Sequence, residues 1–120
     1  KHIIVVGHYG CGGIKAAMNN DSIGIIDNWI RHIKNVYRLH KNLLDAIPNE
    51  TARFNAFVEV NVKEQVFDLA KTSIVQAAWK SGQDVTLHGW AYGLNSGIVT
   101  DLDVNLTSEK NLDEVYQLKF

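Results

Sequence analysis

The stretch Ile3-Ile4-Val5-Val6-Gly7-His8-Tyr9-Gly10-Cys11-Gly12-Gly13-Ile14-Lys15 decides the fold. Its first four residues are β-branched and apolar, and the run stops at a glycine. Such a short continuous run marks a strand buried on both faces of a parallel sheet. The glycines at 7, 10, 12 and 13 predict a tight turn, and Ile14-Lys15-Ala16-Ala17-Met18 predicts a short helix. Strand, glycine turn and helix together form a βα unit. Its polar residues lie beyond the carboxyl end of the strand, where open α/β sheets bind ligands.

Working outward, Asn20-Asp21-Ser22 offers N-caps for a longer helix. Its apolar stripe runs through Ile26, Trp29, Ile30, Ile33, Val36, Tyr37, Leu43 and Leu44, close to a 3.6-residue period. Pro48 suits the first turn of a second long helix, which carries Phe54, Phe57, Val58, Val62, Val66 and Leu69 inward. A third helix, 72–80, stops at Ser81-Gly82. Residues 84–92 read as a strand, Asn95-Ser96-Gly97 as a turn, and 98–106 as an antiparallel return strand. A short helix is predicted over 108–118. The expected fold class is α/β: a mostly parallel sheet flanked by helices, with an antiparallel C-terminal strand.

Composition agrees with a globular domain. Of 120 residues 46% are hydrophobic and 21% charged, which argues against disorder and leaves residues 1–120 as one expected domain. Twelve Lys and Arg against thirteen Asp and Glu give a net charge of −1, so neither nucleic acid nor an anionic membrane is an expected partner. The longest apolar run is about four residues, far short of a membrane span. One cysteine, Cys11, excludes an intramolecular disulfide and fits a reducing compartment, with the cytoplasm expected. The chain opens on Lys1-His2-Ile3-Ile4 without Met, at the edge of a strand. Only two further strands are predicted, and they pair with each other. A bare sheet edge follows, and with it the expectation that the chain is part of a larger fold.

His8 and Cys11 lie three residues apart in the glycine turn, so imidazole and thiolate can aim at one point. Both are zinc ligands by type. A phosphate loop would require Lys followed by Ser or Thr after the glycines, whereas Gly12 leads into Gly13-Ile14-Lys15. The Gly-x-Gly-x-x-Gly dinucleotide spacing is absent. A Cys11 nucleophile activated by His8 is the remaining alternative. Gly12 and Gly13 are candidates to offer backbone N–H groups to an anion, or simply to make the turn tight.

The segment Ile3–Lys15 closely resembles the zinc-binding segment of β-class carbonic anhydrases. Asp27-Asn28-Trp29-Ile30-Arg31-His32-Ile33, Asn61-Val62-Lys63-Glu64-Gln65-Val66 and Leu87-His88-Gly89-Trp90-Ala91-Tyr92-Gly93 resemble the bacterial branch of that family, in matching order. The resemblance implies reversible hydration of CO2 to bicarbonate at a Zn2+ ion held by two cysteines and a histidine. His8 and Cys11 match two of these ligands. The third ligand and an Asp–Arg pair belong to a Cys-x-Asp-x-Arg motif that lies upstream in the family and is absent from these 120 residues, so no catalytic residue is assigned here. This chain is therefore expected to be the C-terminal portion of such an enzyme; a catalytically incomplete assembly module of the same fold is the alternative. A homodimer or homotetramer is implied as well.

Tyr92 lies in Gly-Trp-x-Tyr, which resembles part of a non-catalytic bicarbonate site in some members; the alternative is a strand-end packing residue. His32, His40 and His88 are expected at the surface or in packing. Trp29, Trp79 and Trp90 are expected in the core or at a subunit interface.

Overall fold

The computed structural model describes residues 1–120. The β-branched run forms β1 (His2–His8), which pairs in parallel with β2 (Thr86–Tyr92), from His2 opposite Thr86 to His8 opposite Tyr92. β2 in turn pairs antiparallel with β3 (Val99–Leu106), through the turn expected at Asn95-Ser96-Gly97. The strand order is β1-β2-β3. The class is α/β, and of the two ladders one is parallel and one antiparallel, making the sheet mixed. Between His88 and Trp90 the register shifts, and β3 absorbs the irregularity at Asp103, whose φ is 57°.

Five helices separate β1 from β2: α1 (Gly12–Asn19), α2 (Asp27–Leu39), α3 (Lys41–Asp45), α4 (Glu50–Ala70) and α5 (Ser73–Lys80). α4 lies across one face of the sheet. Gly7 and Gly89 allow that close approach: a Cβ on Gly89 would sit 2.7 Å from Val104 Cγ1 and 3.2 Å from Val66 Cγ2, and one on Gly7 would run into Val62 Cγ2. The helix divides two cores. Val62, Val66 and Ala70 pack with Leu87, Ala91, Val104 and Trp79 under the sheet. Phe57 and Val58 pack with Ile14, Ile30, Ile33 and Val36 of α1 and α2.

Several local expectations are corrected. The first of the two predicted long helices, with its stripe from Ile26 to Leu44, breaks at His40, whose φ of −110° and ψ of 19° leave the helical region, so α2 and α3 are separate. α2 begins only at Asp27, whose carboxylate accepts from the Ile23 N–H and the Ser22 hydroxyl. Pro48 is not in the first turn of α4; Asn49 is the N-cap, its side chain accepting from the Ala52 N–H at 2.9 Å. The helix predicted over 108–118 is two 3-10 turns, Glu109–Asn111 and Glu114–Tyr116. Ser108 and Asp113 each capture a backbone N–H nearby, which competes with a continuous helix. The tail is tied instead to the fully buried Gln76, whose Nε2 donates to the Tyr116 carbonyl and whose Oε1 accepts from the Leu118 N–H.

β1 departs most from expectation. Its sequence reads as buried on both faces, yet it has one strand neighbour and helical cover on one face only. Ile4 and Val6 on the open face remain 39% and 53% exposed, and Ile3, on the α4 side but beyond the helix's cover, 41%. Of the three tryptophans, expected in the core or at a subunit interface, Trp79 is buried, Trp90 half-buried, and Trp29 61% exposed on the single chain.

Candidate metal centre

The open sheet face and the strand ends carry the sequence's candidate ligands. His8 is the last residue of β1, and Tyr92, its register partner, is the last of β2. A turn through Gly10, at φ +75°, leads to Cys11, the extended N-cap residue of α1. The Cys11 thiol caps no backbone N–H, and it lies over the start of the helix, with its Sγ 3.8 Å from where a Gly13 Cβ would stand. Gly12 and Gly13 open the helix, in the first turn, whose N–H groups have no partner within the helix.

His8 Nδ1 lies 3.0 Å from the Tyr9 carbonyl oxygen. A carbonyl only accepts, so this bond requires the proton on Nδ1 and leaves the Nε2 lone pair free. Metal-ligating histidines show this same arrangement, a second-nitrogen hydrogen bond that fixes tautomer and ring orientation. The donor chemistry of His8 and Cys11 thus fits zinc at two positions. No third His, Cys, Asp or Glu joins them to complete a metal-binding cluster within the chain.

Tyr9 ties the turn to the rest of the molecule. Its N–H donates to the Tyr92 carbonyl at 3.0 Å, and its hydroxyl donates to Glu59 Oε2 on α4 at 2.8 Å. Its ring packs against both cores. Burial, and then the Glu59 carboxylate, push the Tyr9 phenol above its ordinary value, with the Thr100 hydroxyl pulling the other way. Neither the Tyr9 hydroxyl nor Glu59 stands out in a sequence reading. The one available signal is an acidic residue set between Val58 and Val60, beside the apolar stripe of a core helix.

Against the turn lies a hollow of about 360 Å³, lined by Tyr9, Gly10, Gly93, Leu94, Asn95 and Ser96. A larger groove of about 520 Å³ runs between α2 and α4 past Trp29, His32 and Glu64, away from His8 and Cys11. His40 bonds Glu64 at 2.8 Å, and His88 lies between His2 and Asn105, so both are in packing as expected.

The family model described as carbonic anhydrase matches residues 1–99. The chain belongs to the β-class carbonic anhydrases. It is 40% identical over 119 residues to a carbonic anhydrase of Emericella nidulans, covering 98% of this chain and 52% of that protein. A carbonic anhydrase of Pseudomonas aeruginosa is 31% identical over 104 residues, which make up 84% of this chain and 46% of that one. Among solved structures, the Coccomyxa β-carbonic anhydrase in complex with acetazolamide superposes with a TM-score of 0.79 at 34% identity, over 92% of this chain and 50% of that one. A β-carbonic anhydrase of Sordaria macrospora, described as tetrameric, gives 0.77 at 29% identity over 89% and 54%. This β-carbonic anhydrase chain thus spans about half the length of the relatives it matches. Its half includes the βα turn with His8 and Cys11.

Proposed function

We propose that the chain supplies the His8–Cys11 half of a zinc site for the reversible hydration of CO2 to bicarbonate. One observation carries the reading beyond family membership: the Tyr9 carbonyl holds His8 in the tautomer that leaves Nε2 available, and three residues on the Cys11 thiol caps no backbone N–H. Zinc bound there would supply Lewis acidity, lowering the pKa of a bound water toward roughly 7. His8 and Cys11 hold two of its coordination positions, and Gly12 and Gly13 offer N–H groups at the start of α1 to orient bicarbonate. The Cys-x-Asp-x-Arg motif that the resemblance implies for the remaining ligand and the Asp–Arg pair is not among these 120 residues. Tyr92, at the strand end beside His8, is the candidate for a regulatory bicarbonate contact. A homodimer or homotetramer in the cytoplasm is the expected setting; the bare edge of β1 and the exposed Ile4 and Val6 favour assembly.

The absence of a third ligand within the chain favours a second reading, a catalytically incomplete assembly module. Zinc analysis and CO2-hydration kinetics of the 120-residue chain separate the two. With two protein ligands zinc should be exchangeable and hydration poor; activity that is measurable and lost in Cys11→Ser supports the enzyme. A chain that assembles but retains no zinc above the level of Cys11→Ser supports the module.

A further inference from the structure

We infer that Glu59, acting through Tyr9, is a positioning residue for the metal ligand His8; this rests on the reading of His8 as a ligand. The path is short and continuous. Glu59 Oε2 accepts the Tyr9 hydroxyl at 2.8 Å, and the Tyr9 carbonyl holds His8 Nδ1 at 3.0 Å. Between these two bonds the backbone of Tyr9 is fixed a third time, by its N–H on the Tyr92 carbonyl. Anchored at its phenol and at its N–H, Tyr9 presents its carbonyl to His8 and so favours one tautomer and one ring orientation.

The surroundings of Glu59 set it apart from an ordinary packing contact. It is half-buried and forms no ion pair; of the chain's other partly covered glutamates, Glu109 pairs with Lys80 and Glu64 bonds the His40 ring. The one side-chain partner of Glu59 is the phenol of the residue that follows the candidate ligand. The geometry therefore couples α4 to the metal turn: the helix that organises both cores also sets the aim of the imidazole. Outer-shell partners of this kind are worth about 10–100-fold in metal affinity.

Cobalt(II) titration of the 120-residue chain, read by absorbance and beside a thermal melt of each variant, tests the coupling. Tyr9→Phe and Glu59→Ala should each weaken cobalt binding about tenfold. Glu59→Gln, whose amide oxygen still accepts from the phenol, should restore it. In metal-free protein, long-range proton–nitrogen NMR should find His8 as the Nδ1–H tautomer and a mixture of tautomers in Tyr9→Phe. Variants that lower the melting temperature yet bind cobalt like the parent would overturn the coupling and leave Tyr9–Glu59 as packing. If His8→Ala also leaves cobalt binding unchanged, the ligand reading fails first.

Discussion

Two carboxylates on the α1–α4 side of the molecule show how single residues hold local structure. Asp27 accepts from the Ile23 N–H and the Ser22 hydroxyl at the start of α2, and these bonds hold its pKa below the ordinary 3.8. Asp45, at the end of α3, accepts from the Tyr37 hydroxyl and pairs with Lys41, and it too is lowered. A carboxyl lowered in the folded state binds fewer protons there than in the unfolded chain. Its contribution is complete above the unfolded value and fades as pH falls through the folded one. The chain should lose stability below about pH 4, and Asp27→Asn should flatten that acid limb in thermal melts taken from pH 6 to pH 2.5. An unchanged slope would mean that these bonds do not survive in solution. The Tyr37 phenol, raised by burial and then by Asp45, acts at the other end of the scale, through a contribution lost only as pH climbs above 10.

At the scale of elements, the closest fit is that of α4 against the sheet. Gly7 and Gly89 are the places where Val62, Val66 and Val104 reach the backbone of β1 and β2. Gly89→Ala should therefore overpack the interface and cost about 1–3 kcal/mol in urea unfolding; a neutral substitution would show that Val104 moves aside freely. Most elements are legible in the sequence because their signals are local: β-branched residues in β1, a 3.6-residue apolar stripe in α4, Thr72 and Gly82 at the ends of α5. The failures are also physical. His40 interrupts α2 because its ring binds Glu64 on another helix, a tertiary contact with no local mark. The C-terminal segment forgoes a continuous helix because Ser108 and Asp113 capture nearby N–H groups and Gln76, some 40 residues away in sequence, binds the Tyr116 carbonyl and the Leu118 N–H.

For the whole molecule, the mismatch between β1 and its surroundings organises the account. Ile3–Val6 has the composition of a doubly covered strand, yet within 120 residues it has one covered face and one paired edge. The candidate site is divided in the same way. His8 and Cys11 stand out as candidates through type and spacing together with the family resemblance of Ile3–Lys15. Their support, the Tyr9 carbonyl and Glu59, does not, because a backbone acceptor leaves no trace in sequence and Glu59 comes 50 residues after Tyr9. The central claim is that this chain gives zinc one imidazole and one thiolate, and zinc-edge X-ray absorption of the zinc-loaded chain tests it most directly. The expected result is a sulfur shell at about 2.3 Å and a nitrogen shell at about 2.0–2.1 Å, the first lost in Cys11→Ser and the second reduced in His8→Ala. A zinc environment of oxygen alone, or one that neither substitution alters, would contradict it.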